Sequence, residues 1–295
     1  MIPIEHYMAP PGQPVNLSEW PPDDTGPFMH KSDTKAIRKE NIQHLQELQD
    51  KLYALNRYSV LLTFQAMDAG GKDSTIKHVM SGVNPQGCQV FSFKKPSEQE
   101  LEHDFLWRTY KALPERGRIG IFNRSYYEEV LIARVHPSIV VNQRIPGIHS
   151  PEDITEEFWQ QRYDSINEME EHLVRNGTIV LKFFLHLSKE EQKQRFLKRI
   201  HRPDKNWKFT MSDIEERKYW DKYQEAFAQA ITQTSTEAAP WYIIPADHKW
   251  FIRTMVSEII VQKLESLNLH YPEVTPTQLK NIEKARVMLE DDPES

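Results

Sequence analysis

The chain has 295 residues, of which 39% are hydrophobic and 27% are charged, and its formal net charge at pH 7 is −6. This length allows one large α/β domain with a substantial core, and an aromatic content of 11% argues against a disordered chain. The negative charge disfavours general binding to nucleic acid, so a polyanionic ligand would require a local cluster of basic residues. No apolar run approaches the ~20 residues that span a bilayer, and we therefore predict no membrane partner.

Both ends of the chain differ in composition from the middle. Residues 1–34 are rich in proline and polar groups, which predicts an extended arm packed on the body of the protein. Residues 271–295 are expected to form a charged tail, loosely held from Glu283 onward. The N-terminus has no basic start and no apolar run, so it does not resemble a signal peptide. The single cysteine, Cys88, fits a reducing compartment, and we expect a cytoplasmic protein.

Between the two ends, apolar segments alternate with helical patterns over residues 35–270. This alternation predicts a parallel sheet with helices on both faces. The predicted strands cover residues 59–65, 89–93, 118–123, 178–187 and 241–246. The predicted helices cover residues 35–56, 72–81, 98–112, 154–176 and 250–267, and two more begin at the capping patterns of Ser188 and Ser212.

The segment Ser59–Thr75 runs from an apolar strand through a glycine turn and a lysine into a helix, which is the order of a phosphate-binding loop. Backbone N–H groups of such a turn can converge on phosphate oxygens, and the positive end of the next helix points at the same place. Lys72 would add a mobile charge. The residues predicted to bind phosphate here are Ala69, Gly70, Gly71, Lys72, Asp73, Ser74 and Thr75. The alternative is a glycine turn that only caps a core helix.

The loop departs from the common pattern G-x-x-x-x-G-K-[ST] at three positions. Ala66 stands at the first glycine position, and Asp73 follows the lysine. Asp68 lies inside the loop, where an acid beside phosphates is unfavourable unless a cation or a proton intervenes. Asp68 therefore indicates either a partner for Mg²⁺ or a base that acts on a phosphate-bearing substrate.

A second group of polar residues follows the predicted strand at 118–123. The carboxyl ends of parallel strands meet at one edge of a sheet, so Asn123 and Arg124 should lie beside the phosphate loop. Arg124 could bind a phosphate with its two-pronged guanidinium. Glu128 is open to a functional or a structural interpretation, whereas Glu129 is expected on a solvated face. Arg134 either turns back to bind phosphate or forms a surface ion pair with one of these glutamates.

A strongly basic segment occurs at residues 189–208, which carry eight Lys or Arg against three acids. Four of its basic residues fall at helical spacing and predict a cationic helix face: Arg195, Lys198, Arg199 and Arg202. One interpretation is a mobile lid, about residues 189–212, that closes over a phosphate chain and excludes water. A solvated helix face is the alternative.

Three segments taken together resemble the polyphosphate kinase 2 family. They are QAMDAGGKDSTIKHVM, FNRSYYEEVLIARVHP and RIHRPDKNWKF, and the resemblance extends over about residues 35–267. It implies a P-loop kinase-like three-layer α/β sandwich with a parallel sheet and a helical lid. It also implies transfer of the terminal phosphate of inorganic polyphosphate to a nucleotide, with Mg²⁺ or alternatively Mn²⁺, in a homo-oligomer. The resemblance assigns Asp68, Lys72 and Arg124 to the catalytic site, and Arg199 and Lys208 to phosphate binding by the lid.

One departure from the usual family pattern concerns the nucleotide acceptor. Many members carry Asp at the position of Asn123 and no acid at the position of Glu128. The form Asn-Arg-Ser-x-x-Glu is similar to the subgroup that phosphorylates both nucleoside monophosphates and diphosphates, which implies AMP as well as ADP, with ATP as a product. Asn123 and Glu128 are therefore added to the predicted catalytic residues, and Asp68 and Glu128 are the predicted metal ligands.

Two other functions remain compatible with the same residues. An ATP-dependent nucleoside or nucleotide kinase would share the loop and the lid but would prefer ATP as its donor. A module that senses phosphate or nucleotide would bind without turnover, although the combination of loop, arginine and basic lid exceeds what binding alone requires.

Overall fold

The structure is a computed structural model, and it describes residues 2–292 except for the side chain of Lys208. The strands are β1 (Ser59–Ala66), β2 (Cys88–Ser92), β3 (Ile119–Asn123), β4 (Thr178–His186) and β5 (Trp241–Pro245). The α-helices are α1 (Lys35–Leu55), α2 (Lys72–Val79), α3 (Glu98–Leu101), α4 (Trp107–Tyr110), α5 (Ile132–Val135), α6 (Ser138–Val141), α7 (Glu156–Arg175), α8 (Lys189–Ile200), α9 (Met211–Glu216), α10 (Trp220–Thr234), α11 (Lys249–Glu265) and α12 (Pro276–Glu290).

The strands form one parallel sheet in the order β2-β3-β1-β4-β5. Strand β1 is central, and Phe64 near its carboxyl end pairs in register with Asn123 of β3 and with Phe183 of β4. The segments that leave β1 and β3 therefore start side by side at one edge of the sheet. This register places the phosphate loop next to the second predicted motif.

Helices cover both faces of the sheet and produce two cores. One core joins α1, α2 and α11 to the sheet through side chains such as Leu45, Ile76 and Phe251. The other joins α7 and α10 to the opposite face, with Ile166 and Phe227 fully or almost fully buried. Strands that are covered on both sides are apolar nearly throughout, which explains why the segments of β1 and β4 were recognisable in the sequence.

Two element boundaries differ from the sequence-based expectation. The helix predicted over residues 98–112 consists of two short helices, α3 and α4, because Asp104 interrupts it: its side chain accepts from the backbone N–H of Leu106 at 2.9 Å. The helix expected to begin at Ser212 is instead capped by Thr210, whose hydroxyl accepts from the N–H of Asp213 at 3.4 Å.

The N-terminal arm lies along β5. Met8 forms an antiparallel bridge with Tyr242, and the N–H of Ala9 donates to the carbonyl of Trp241 at 2.8 Å. The carbonyl of Trp20 accepts from Nδ1 of His186 at 2.9 Å. At the other end of the chain, the segment expected to be a loosely held tail contains the exposed helix α12. No helix within residues 2–292 combines the length and the apolar content that crossing a bilayer requires.

Candidate active site

The phosphate loop occupies the turn between β1 and α2, and its backbone requires small residues. A Cβ added to Gly70 would lie 2.5 Å from Cβ of Ala66 and 2.8 Å from the carbonyl oxygen of Met67, so only glycine fits there. Gly71 caps α2 with a φ of +102°, in the left-handed region, and Ala69 has a φ of +62°. This conformation leaves no bulky side chain between the loop backbone and a bound phosphate.

Lys72 is the first residue of α2 and lies across the loop. It is buried, and its Nζ donates to the carbonyl oxygen of Ala66 at 2.8 Å. Burial is the main cause that lowers the pKa of Lys72, and the positive charge of Arg124 lowers it further. The negative charge of Asp68 opposes this shift only in part. The positive charge of the ammonium is therefore poorly compensated by its protein neighbours, and a phosphate oxygen would stabilise it.

Arg124 joins the second motif to the loop. Its backbone N–H donates to the carbonyl of Phe64 at 3.1 Å, and its Nη2 contacts Oδ1 of Asp68 at 3.0 Å. The φ of Arg124 is +64°, so the chain turns sharply at the end of β3 and directs the side chain toward Asp68. Burial alone would lower the pKa of the Arg124 guanidinium, but the carboxylates of Glu128 and Asp68 outweigh it and raise that pKa.

Glu128 faces the same cluster from the short 3₁₀ helix Tyr126–Glu129. Burial raises the pKa of its carboxyl, and the charge of Asp68 adds to this effect, while Arg124 and Lys72 oppose it. The structure thus brings together four of the five residues predicted to be catalytic: Asp68, Lys72, Arg124 and Glu128.

Gln65 supports this cluster, although the sequence interpretation did not select it. With its amide nitrogen facing Glu128, Gln65 donates to Oε1 of Glu128 at 2.9 Å and accepts from Oγ of Ser125 at 3.1 Å. The only signal in the sequence was a polar residue at the carboxyl end of an otherwise apolar strand, and the strand pattern alone did not show which way it faces.

Asn123, the fifth predicted catalytic residue, connects β3 to α2. Its Nδ2 donates to Oδ1 of Asp73 at 2.8 Å. Ser74 donates through Oγ to the carbonyl of Gly71 at 3.0 Å, and Thr75 is buried. These bonds hold the first turn of α2 in place. In the structure, Asn123, Asp73, Ser74 and Thr75 therefore stabilise the loop geometry, and their contact with phosphate stays a prediction.

Helix α8 holds the loop from its other side. Gln192 donates to the carbonyl of Asp68 at 2.9 Å, and Arg195 donates through Nη1 to the carbonyl of Ala69 at 3.0 Å. Arg195 also bonds the carbonyl of Asp247 at 3.1 Å. The sequence predicted a cationic helix face that includes Arg195, but this side chain is buried against carbonyl groups that only the tertiary structure reveals.

The lid segment continues from α8 through a 3₁₀ turn into α9. Arg199, at the end of α8, lies 3.6 Å from Asp213 of α9, and the two are about a quarter exposed or less. Burial raises the pKa of the Asp213 carboxyl, and the nearby charge of Asp68 contributes to this shift. Arg199 is thereby brought to the same side as the loop. The predicted contact of Lys208 lies outside the described residues.

Two of the predictions for the second motif require correction or comment. Glu129 was expected on a solvated face, but it is only 4% exposed and lies 3.2 Å from Arg162 and 3.5 Å from Arg108. Those arginines come from distant segments, so spacing along the helix did not reveal them. Arg134 pairs at 2.8 Å with Glu156, not with Glu128 or Glu129, and the structure does not bring it into the cluster around Lys72.

A cleft of about 840 Å³ opens next to this cluster. The residues that line it include Arg124, Glu128, Lys94, Lys95 and His136. This volume is appropriate for a nucleotide-sized molecule. The arrangement therefore offers a phosphate loop and, directly beside it, a cleft for a second substrate.

Asp68 and Glu128 are suited to share a hard divalent cation. Within residues 2–292, no three His, Cys, Asp or Glu side chains are grouped as a preformed metal site. Mg²⁺ does not need such a group, because it is usually held by one or two carboxylates together with substrate phosphates and water. Burial, with a contribution from the charge of Asp68, raises the pKa of the Glu128 carboxyl, and a cation held by these carboxylates would stabilise its ionised form.

Comparison with known proteins identifies the family. The family model described as Polyphosphate kinase 2 (PPK2) matches residues 29–272. The chain belongs to the polyphosphate kinase 2 family. The family and the P-loop kinase-like α/β fold predicted from the sequence are therefore confirmed.

Individual members of the polyphosphate kinase 2 family match nearly the whole chain. An ADP-polyphosphate phosphotransferase of Rhodopseudomonas palustris is 51% identical, over 98% of this chain and 99% of the relative. An AMP/ADP-polyphosphate phosphotransferase of Meiothermus ruber is 45% identical, over 92% of this chain and 96% of the relative. The crystal structure of polyphosphate kinase 2 from Arthrobacter aurescens TC1 superimposes with a TM-score of 0.86 at 35% identity, covering 96% of this chain and 97% of that one.

Proposed function

We propose that this chain is a polyphosphate-dependent nucleotide phosphotransferase that moves the terminal phosphate of inorganic polyphosphate to AMP and ADP, in a reversible reaction. The observation that carries the proposal is the meeting of Lys72, Asp68 and Arg124 beside a nucleotide-sized cleft, whose wall includes Arg124. The names of relatives in Rhodopseudomonas palustris and Meiothermus ruber support the same donor and the same acceptors.

The chain's own residues contribute mainly alignment and charge neutralisation. The loop backbone and Lys72 bind the end of the donor polymer, and Arg124 bridges the donor and the acceptor phosphates. An oxygen of the acceptor phosphate attacks the terminal phosphorus in line, the bond to the next phosphate of the polymer breaks, and the shortened polymer leaves. Lys72 and Arg124 neutralise charge on the oxygens of the transferring group.

Asp68 orients the reacting groups and is not required as a proton acceptor. The attacking phosphate oxygen is already anionic near neutral pH, so no proton has to be removed from it. Asp68 and Glu128, together with the donor phosphates, would hold Mg²⁺ or alternatively Mn²⁺, which neutralises charge on the phosphate oxygens that it binds. A base function for Asp68 remains the alternative.

Glu128 and Asn123 favour AMP as a second acceptor. AMP has one phosphate fewer than ADP through which the site can position it. A carboxylate at the wall of the cleft supplies an additional anchor for a metal ion or for its water shell. We also expect a homo-oligomer located in the cytoplasm, by analogy with the family.

A comparison of donors tests the proposal against its nearest rival. Initial rates of AMP and ADP phosphorylation are measured with polyphosphate and with ATP or GTP at equal concentrations of transferable phosphate. The proposal predicts a clear preference for polyphosphate. A preference for the nucleoside triphosphate would identify an ATP-dependent nucleotide kinase, and binding of nucleotide without transfer from any donor would identify a sensing module.

A further inference from the structure

Three basic side chains lie on the three helices that pack together over one face of the sheet, α1, α2 and α11. Arg38 lies in the first turn of α1, His78 in the last turn of α2 and Arg253 in the second turn of α11. Arg38 is 8% exposed, and the other two are half-buried. Burial, followed by the charge of Arg253, lowers the pKa of Arg38, and burial together with both arginines lowers the pKa of His78.

These three groups have neutral partners or none. Arg38 donates to the hydroxyl of Thr34, and at 3.5 Å to the hydroxyl of Thr254 and to the carbonyl of Lys31. Nε of Arg253 and Nε2 of His78 are buried and have no hydrogen-bond partner in the part of the chain that the structure describes. Buried guanidinium groups without a counter-charge are costly, and they are unusual in a protein whose net charge is −6.

We propose that Arg38, His78 and Arg253 form a second anion site, which binds a phosphate group and is separate from the phosphate loop. A phosphate oxyanion is the ligand that this chemistry favours, because guanidinium groups bind it through paired N–H donors and the imidazole supplies a further donor. The positive ends of α1 and α11 lie near the two arginines and add to the attraction.

The position of the site suggests two sources for the phosphate group. His78 and Lys72 lie on the same helix, α2, whose 8 residues span about 12 Å. A polymer whose end lies in the loop could place a later phosphate in the second site, and this source rests on the proposed function. Free inorganic phosphate is the other source, and it does not depend on that function.

Binding of inorganic phosphate tests the site directly. Isothermal titration calorimetry is performed on full-length Lys72→Ala protein, in which the loop lysine is removed, and on the same protein with Arg253→Gln added. The proposal predicts that Arg253→Gln weakens phosphate binding by about tenfold or more, whereas Arg253→Lys, which keeps the charge, retains most of it. Arg175→Gln removes an exposed arginine of α7 on the opposite face of the sheet and serves as the matched control.

Thermal unfolding of each variant shows whether the fold is intact, and His78→Gln provides a second variant if Arg253→Gln is unfolded. Equal phosphate affinity in the Arg253→Gln, His78→Gln and Arg175→Gln proteins would overturn the proposal. Phosphate binding that is lost in the Arg253→Gln protein and retained in the Arg253→Lys protein would support the proposal.

Kinetics with donors of different length distinguish the two sources. If the polymer supplies the phosphate, Arg253→Gln raises the KM for long polyphosphate several-fold and leaves the KM for tripolyphosphate unchanged. If free phosphate is the ligand, calorimetry shows weaker phosphate binding by the Arg253→Gln protein, and the KM values for long polyphosphate and for tripolyphosphate stay unchanged. Failure of the wild-type protein to use any polyphosphate would refute the proposed function, while the phosphate titration would still decide whether the site exists.

Discussion

Arg124 Nη2 lies 3.0 Å from Asp68 Oδ1, so an ion pair joins the phosphate loop to the second motif before a substrate binds. The side chains of Arg124 and Asp68 are 41% and 31% exposed, respectively. Ion pairs that are this accessible to water contribute only about 1 kcal/mol or less to the stability of the fold. The pair is therefore strong enough to orient Arg124 and weak enough to be exchanged for a phosphate. This property underlies the predictions for the loop residues.

Replacement of Lys72 by alanine should abolish phosphate transfer and leave the fold intact. Within the described residues, the ammonium donates to a loop carbonyl and forms no salt bridge with a carboxylate, so its removal costs little stability. Loss of one contact to a transferring phosphoryl group, in contrast, costs on the order of 10²-fold or more in rate. Initial rates and unfolding midpoints are compared with those of Lys280→Ala, which changes an exposed lysine of α12. Near-normal turnover in folded Lys72→Ala protein would exclude Lys72 from the mechanism.

The pH dependence should also reflect Lys72. Burial and Arg124 lower its pKa from the ordinary value of 10.5, so the free enzyme should lose the positive charge at a lower pH than an exposed lysine does. A bound phosphate raises that pKa again. The value of kcat/KM, which reports the free enzyme, should therefore decline at alkaline pH as Lys72 loses its proton. The corresponding decline of kcat, which reports the enzyme with bound substrate, should occur at higher pH. Identical alkaline profiles for kcat and kcat/KM would contradict this assignment.

Asp68→Asn should reduce turnover by roughly 10²-fold without weakening the affinity for polyphosphate. The substitution keeps the shape of the side chain and removes a negative charge beside a polyanion, so the Kd should stay constant or decrease. Stopped-flow or single-turnover rates at saturating polyphosphate are measured together with equilibrium binding. A collapse of binding with an unchanged single-turnover rate would show that Asp68 does not orient the reacting groups.

Charge reversal at Arg199 should raise the KM for long polyphosphate, and the increase should shrink as the salt concentration rises. Arg199 lies 3.6 Å from Asp213, so Arg199→Glu also sets two acids side by side. The exchange variant Arg199→Glu/Asp213→Arg restores the net charge of the lid and should recover part of the affinity. An effect that does not change with ionic strength would indicate a packing defect in α8 instead.

Glu128→Ala should reduce phosphorylation of AMP more than that of ADP, by about tenfold in the ratio of the two rates. The shorter acceptor has fewer phosphate oxygens for Arg124 and a metal ion, and so it depends more on the carboxylate. Glu128→Gln keeps the size of the side chain and isolates the contribution of the charge. Equal losses with AMP and ADP would assign Glu128 a general or a structural role.

The sequence was informative wherever a local pattern determines the structure. The order strand, glycine turn, Lys72 and helix predicted both the loop and its place at the edge of the sheet, because the backbone of such a loop depends on adjacent residues. The relation of Arg124 to Asp68 followed from the rule that ligands bind at the carboxyl ends of parallel strands.

The sequence was misleading wherever distant segments decide the environment of a charge. Glu129 is buried by Arg162 and Arg108, and Arg195 is buried by loop carbonyls. The arginines that contact Glu129 and the loop carbonyls that contact Arg195 lie far from these residues along the chain, so helical spacing did not reveal them. Gln65 was overlooked for a related reason: the polar end of a buried strand was visible, but its contact with Glu128 depends on a turn that follows another strand.

The most direct test of the account follows the nucleotide products over time in a reaction that contains polyphosphate, Mg²⁺ and AMP but no ATP. Anion-exchange chromatography resolves AMP, ADP and ATP at successive times, with Lys72→Ala protein as the control. The account predicts that ADP appears first and ATP afterwards, and that neither forms with the control protein. Absence of both products, or their formation at the same rate by Lys72→Ala protein, would contradict it.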